Sequence, residues 1–456
     1  MTGEERGCGA TIGVAEQGNK ANVVDGDLLI KWAKKFLEKP NLLYRVNQIL
    51  GLDIAGEEDT RLLTFLLLLS SKLGPKYKQF IILAGVSAAG KTHIANVITQ
   101  YFPNVVKRGR FTEHAIEYTR SLEEHGILYI QQLGPAGLGA PPTIMLLSSE
   151  DKGFIVEYTV KDPVTGELKT KPKKLPPVTI ITTTTAVSLA GELETRAWRI
   201  NLDESEEQTR RVLKFHAKKE LSLLDAGTNR ATRRRFLKRL LEVAISLLPE
   251  DVEINIPYAD VAKEVFPASQ VRARRDFPKF LYLIKLIAYL HYYQRPRYKL
   301  PDGREVVVAL PEDLWYALHI GGRTIGAMVM GLDARLKAFW ERVRFFLKTS
   351  GGYITSRQAA TVTGLSERRA RHYLKKLWDE GYLLRDDSTR PYRYALRPEE
   401  PEITALSGPA EKLWAECLKA TNSVLAEKVG RGLRGEVVVY DPFTGERRVV
   451  YRAPTP

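Results

Sequence analysis

Cysteine is scarce in this 456-residue chain, which has only Cys8 and Cys417. The two lie too far apart in sequence for a metal knuckle, and one pair builds no disulfide framework, so a reducing compartment is expected. Long apolar runs are also missing. The most apolar stretch, Leu62 to Leu69, is less than half the length that crossing a bilayer requires. The opening MTGEERGCGATIG lacks the basic-then-apolar form of a secretory signal, so a cytoplasmic protein without a membrane partner is expected. Acidic residues are in deficit: 69 Lys plus Arg stand against 54 Asp plus Glu, a net charge of +15. Such a surplus favours a polyanionic partner, nucleic acid first, although solubility alone also accounts for it.

What is present is the composition of a globular protein, 44% hydrophobic and 27% charged. The length exceeds one compact core and suggests roughly three domains. One stretch organises the rest. In FIILAGVSAAGKT, Phe80 to Thr92, an apolar strand-like run ends in Gly85-x-x-x-x-Gly90-Lys91-Thr92, and the helix-like HIANVITQYF follows. That is the phosphate-loop pattern in its strand-loop-helix context. Glycines let backbone N–H groups turn toward a polyphosphate, Lys91 can reach the β and γ phosphates, and the Thr92 hydroxyl can hold Mg²⁺.

Residues 1–26 read as an arm without periodicity, and two helix-like stretches follow, the second apolar nearly all round. Beyond the loop, Ile127 to Ile130 has the form of a buried parallel strand. It ends in Gln131 and Gln132, where phosphate-loop ATPases carry an Asp-Glu pair. An amide can orient water but cannot accept its proton, which puts hydrolysis in doubt and leaves binding intact. Next come two extended segments joined by Asp162-Pro163-Val164-Thr165-Gly166-Glu167, a hairpin turn by its residue types. The second arm carries Lys169, Lys171, Lys173 and Lys174, which suit either a DNA contact or a lysine-protected edge strand. Val178 to Thr185 reads as a third buried strand with hydroxyl residues at its end.

Further on, Arg196 follows in LETR, and a long helix opens with Arg272, Arg274 and Arg275. From Asp333 to Arg397 the pattern becomes helix, helix, tight turn at Gly364, helix, strand pair. Ala370, Tyr373, Leu374 and Leu377 fall on one face, with Arg368, His372, Lys375 and Lys376 opposite. This is similar to a winged helix-turn-helix, in which the second helix of the motif enters a DNA groove. The expected division is an arm and helical region over 1–56, an ATPase core over 57–225 and a helical lid over 226–332. A winged helix over 333–397 and a linker, helix and hairpin over 398–456 complete it.

Taken in order, phosphate loop, glutamine-ended strand, hairpin, threonine-ended strand, arginine and winged helix resemble the AAA+ ATPases of the replicative helicase branch. These include the superfamily 3 viral helicases, the minichromosome maintenance helicases, and helicase-like ATPases of archaeal and phage replicons. The resemblance covers about residues 57–397. It implies an α/β phosphate-loop core with a parallel sheet and an inserted hairpin. ATP and Mg²⁺ would be held by Gly85, Ser87, Gly90, Lys91 and Thr92, with Thr92 on the metal. By the same resemblance Gln132 stands at the water-activating position and Thr184 at the γ-phosphate sensor. Arg196 corresponds to the finger offered to a neighbouring subunit, and one of Arg272, Arg274 or Arg275 to a second sensor of the nucleotide. A finger given in trans implies a ring, commonly a hexamer. Single-stranded DNA would meet the hairpin lysines in the channel, and duplex DNA would meet the winged helix. The function implied is an ATP-dependent DNA helicase or translocase in the replication of a mobile element. Two alternatives stand beside it: an origin-recognition type initiator or loader, and a non-hydrolysing, ATP-switched DNA-binding regulator.

Overall fold

The computed structural model describes residues 26–109, 126–131, 147, 153–161, 168–185, 195–221, 229–266, 272–329, 334–350, 352–379, 382–396, 411–433 and 435–454. Its centre is a five-stranded, all-parallel sheet, so the chain is of the expected α/β class. The strands are β1 (Phe80–Ala84), β2 (Val105–Arg108), β3 (Ile127–Ile130), β6 (Thr179–Thr184) and β7 (Trp198–Asn201), in the order β2-β3-β6-β1-β7. β1, β3 and β6 are buried at every residue, which is why they read as unbroken apolar or β-branched runs. Two threonines of β6 tolerate this because their hydroxyls find partners: Thr179 meets Ser70 at 2.8 Å, and Thr183 donates to the Gln131 carbonyl at 2.5 Å.

From β1 the chain passes through α4 (Lys91–Thr99) to the far edge at β2. It works back through β3 and β6 to the flank of β1, then crosses to β7 on the other side. Strand order therefore reverses at β1. The carboxyl end of β1 is the topological switch point, where open parallel sheets form their ligand crevice.

Between β3 and β6 the chain makes a separate antiparallel pair, β4 (Phe154–Lys161) with β5 (Leu168–Leu175), in register from Phe154 opposite Leu175 to Lys161 opposite Leu168. The turn expected over residues 162–167 lies outside the described residues.

Helices α1 (Gly26–Leu37), α2 (Leu42–Leu50) and α3 (Glu58–Leu68) precede the sheet. α3 is buried all round, and its Leu62, Phe65, Leu66 and Leu67 touch no solvent. It packs on α4 and on two long later helices. The helices after the sheet are α5 (Glu206–Leu221), α6 (Asn229–Ser246), α7 (Ala273–Leu290) and α8 (Pro311–Val329). A small sheet accompanies them, with β10 (Glu305–Val308) between β8 (Glu253–Asn255) and β9 (Arg297–Lys299). Apolar residues of α1 to α4, the sheet and α6 to α8 form one continuous core. Residues 26–56 and 229–329 thus share the core of the strands between them.

The chain from 334 to 396 has a core of its own. Leu336, Trp340 and Val343 of α9 (Ala334–Ser350) meet Ala359 of α10 (Ser356–Thr363) and Ala370, Tyr373, Leu374 and Leu377 of α11 (Glu367–Asp379). β11 (Leu383–Asp386) and β12 (Arg393–Leu396) close it. Thr355 and Gln358 cap α10 reciprocally, and Gly364 ends it at φ 71°, the left-handed value that a tight turn needs.

After this unit the chain returns to the main body. Trp414, Cys417 and Leu418 of α12 (Glu411–Val429), with Val437 and Val439 of β13 (Glu436–Tyr440), join the main core. β14 (Arg447–Arg452) pairs with β13, the Tyr440 N–H donates to the Tyr316 hydroxyl at 2.9 Å, and Asn47 Nδ2 donates to the Pro442 carbonyl at 3.2 Å.

Candidate functional site

The Gly85–Thr92 loop sits at the switch point. Ala88 at φ 68° and Gly90 at φ 91° are both in the left-handed region, and together they curl the loop back over the start of α4. For alanine that conformation is uncommon, and such outliers gather at ligand sites. Lys91 opens α4 and is 7% exposed, with Nζ donating to the carbonyls of Gly85, at 2.9 Å, and Val86. Its ammonium therefore lies inside the arch. Burial holds its pKa below the ordinary lysine value, partly offset by the nearby Glu204 carboxylate. Val86, Ser87, Ala88 and Thr92 are exposed, so the outer side of the loop is open.

Two strand ends flank the loop. On one side β6 runs in register with β1, Ala84 opposite Thr184, and the Gly85 N–H donates to the Thr184 carbonyl at 3.3 Å. Gln131 follows β3 on the far side of β6, tied to it through Thr183. Thr184 thus stands beside the loop, and the end of β3 lies one strand further out. Gln132 itself lies outside the described residues. On the other side the Leu202 N–H donates to the Ala84 carbonyl at 3.0 Å, the Asp203 N–H to Glu57 Oε1 at 2.7 Å, and the Val86 N–H to Glu204 Oε1 at 2.7 Å. A carboxylate oxygen on a loop N–H shows that this donor pairs with an anionic oxygen. With the buried ammonium beside it, the loop fits a polyphosphate.

A second loop lies against α4. Buried Arg61 of α3 donates to Asn47 Oδ1 at 2.5 Å and to the Ile54 and Gly56 carbonyls at 2.9 Å each. That pins residues 51–57, and His93 Nε2 meets the Asp53 carbonyl at 2.8 Å. Asp53 in turn pairs with Arg234 and with Lys238, at 2.5 Å in the latter, which binds α6 to the same wall.

No protein-family model matches this chain, and no curated protein matches it.

The arginines stand elsewhere. Arg196 lies two residues before β7, at the end of that strand away from Asn201, the partner of Ala84. Arg275 donates to Thr195 Oγ1 at 2.7 Å, Lys279 to the Thr195 and Ala197 carbonyls at 2.7 and 3.1 Å, and Arg272 pairs with buried Asp276 at 3.0 Å. Arg272 and Arg275 therefore stand near Arg196 at the amino end of β7, with Arg274 between them in α7. That end of the strand is opposite the Gly85–Thr92 loop. Linear order leaves open to which end of a parallel sheet a following helix returns, and α7 packs at the amino end.

Of the β5 lysines, Lys171 and Lys174 are exposed and Lys173 is half-buried; Lys169 pairs through its backbone with Val160. Strand alternation puts Lys171 and Lys173 on one face and Lys174 on the other. The exposed Ile155, opposite Lys174, shares that other face. On α11, Arg368, His372 and Lys375 are exposed as expected, whereas Lys376 is half-buried. Ser366, Arg368, Arg369, His372 and Tyr373 line an open cavity of about 480 Å³ on this helix.

Sequence reasoning missed Glu57, Glu204 and Arg335. Arg335 Nη2 donates to Glu204 Oε2 at 2.7 Å and so bridges α9 to the loop. No spacing signals it, because the two residues lie 131 positions apart.

Proposed function

We propose that the chain is an ATP-dependent DNA translocase or helicase of the AAA+ ring type, acting in replication of a mobile element. The observation that carries this reading is the curled Gly85–Thr92 loop at the strand-order reversal, with Lys91 inside its arch and β6 inserted beside β1. Gly85, Ser87, Gly90 and Lys91 would hold the polyphosphate of ATP, and Thr92 would hold Mg²⁺. Bound ATP supplies a cleavable γ-phosphate. Thr184, whose backbone holds Gly85, is suited to sense that group.

Arg196, at the opposite end of β7, would serve a neighbouring copy, which favours a ring, commonly six-membered. Arg272 and Arg275 stand near it, and with Arg274 of the same helix they would belong to that same subunit boundary. The β4–β5 pair, read as a channel hairpin, would meet single-stranded DNA through its lysines, and α11, read as the recognition helix of a winged helix, would meet duplex. An origin-recognition type loader needs no such hairpin, which ranks it below the motor.

A second reading, the ATP-switched DNA-binding regulator, is favoured by one observation: the end of β3 carries Gln131 and Gln132 where a general base is needed. Phosphate release at saturating ATP and Mg²⁺ separates the two. The chain as it stands should turn ATP over slowly, and Gln132→Glu should raise the rate at least about tenfold, because a general base is worth roughly 10² to 10⁴. Gln132→Glu should also separate a forked DNA substrate. Equal rates in both proteins would favour the regulator.

A further inference from the structure

The Glu204 carboxylate has two partners. Oε1 accepts the Val86 N–H of the glycine loop at 2.7 Å, and Oε2 accepts Arg335 Nη2 at 2.7 Å. Arg335 belongs to α9, the first helix of a unit whose core is separate from that of the body. The Glu204 side chain is 29% and that of Arg335 41% exposed, so both are partly in water. Arg335 also lies near enough to Lys91 to oppose its charge, while Glu204 favours it. The same carboxylate therefore occupies a donor that a polyphosphate would need and fastens the 334–396 unit to the loop.

We infer that Glu204 and Arg335 form a latch that polyphosphate opens. Glu204 acts as an internal anion on the Val86 N–H. A triphosphate bringing several negative charges and Mg²⁺ to Lys91 displaces it, both by taking the N–H and by repelling a carboxylate at that distance. Glu204 then leaves the loop, its pairing with Arg335 loses the fixed geometry that the Val86 N–H gives it, and α9 comes free of the loop. A half-exposed ion pair is weak enough to be exchanged in this way. Nucleotide state is thereby transmitted to the attachment of the C-terminal unit. The inference rests on the reading of Gly85–Thr92 as a polyphosphate loop.

The test measures the distance between fluorophores placed at Lys337 in α9 and Lys31 in α1, both exposed, with and without a non-hydrolysable ATP analogue and Mg²⁺. In the native chain the analogue should change the separation; in Lys91→Ala it should not. Glu204→Gln should show the released separation without any nucleotide, and should bind the analogue about tenfold tighter, the effect of removing one charge-assisted competitor. Arg335→Glu should also be released, whereas Arg335→Lys, which keeps a cationic donor for Glu204 Oε2, should hold the attached separation. Native separation in both Glu204→Gln and Arg335→Glu would overturn the latch. So would tighter binding by Glu204→Gln at unchanged separation, since Glu204 would then merely repel phosphate. If the native chain failed to bind the analogue, the nucleotide reading would fall, while the two single variants would still decide whether this ion pair holds the unit.

Discussion

At the scale of single residues the site is surrounded by charges held against their ordinary behaviour. Glu57, only 6% exposed, is the clearest: burial pushes its pKa up to about 7, against the opposing hydrogen bonds from Thr60 and the Asp203 N–H. The folded chain holds this proton more tightly than the unfolded chain does. Stability from it is therefore fully present near pH 4.5, falls as the pH rises toward 7, and is gone above that, where the folded state bears the cost of a buried carboxylate. Glu57→Gln keeps an acceptor for the Asp203 N–H and removes the charge. It should raise stability at pH 8 by on the order of 1–3 kcal/mol, with the gain vanishing near pH 4.5. Denaturant unfolding of both proteins at the two pH values checks this, and an equal difference at both would show that folding leaves the Glu57 pKa unchanged. Residues of this kind are not legible in a sequence. Lys91 and Gly90 announce themselves because loop chemistry fixes their spacing within eight positions. Glu57, Glu204 and Arg335 meet only through the fold, and nothing local marks them.

At the scale of elements, legibility follows locality in the same way. β1, β3 and β6 read correctly because burial on both faces demands an unbroken apolar or β-branched run. α11 reads correctly because Ala370, Tyr373, Leu374 and Leu377 repeat at helical spacing and are all buried. The end of the sheet to which α7 returns did not follow from pattern, and three arginines lie there as a result. The β4–β5 pair is a case where register adds what composition lacks: Lys171 and Lys173 fall on one face of the strand and Lys174 on the other. Single-stranded DNA tracked along one face should engage Lys171 and Lys173 but not Lys174. Replacing those two by Ala should lower the slope of log affinity against log salt by about 0.7 for each phosphate no longer neutralised, and Lys174→Ala should leave it unchanged. Titrations of a labelled single strand over a salt series measure this, and equal slope changes at all three positions would remove the face distinction.

At the scale of the whole molecule the chain leaves its main core at residue 329, builds a second core over 334–396, and returns to complete the first. The return is invisible in the sequence because α12 and β13 supply short, ordinary apolar segments whose partners, among them Asn47 and Tyr316, lie far back in the chain. It decides how the protein can be cut. Truncation after residue 333 removes Trp414, Cys417, Leu418, Val437 and Val439 together with the 334–396 unit. At roughly 1.5–3 kcal/mol for each large apolar side chain buried, those five represent on the order of 10 kcal/mol, comparable to the whole stability of a typical domain. The truncated chain should lose cooperative unfolding and aggregate. Replacing residues 330–410 by a flexible Gly/Ser linker should instead leave a body that unfolds in one transition, because the excised core shares no cluster with the one that remains. That excised protein also lacks Arg335, and should bind the ATP analogue at least as tightly as the full chain. Calorimetry and analogue titration on the two shortened proteins test the division directly: a truncated chain as stable as the excised one would mean that α12 and β13 merely rest on the body, and a misfolded excised protein would mean that the second core is needed to close the first.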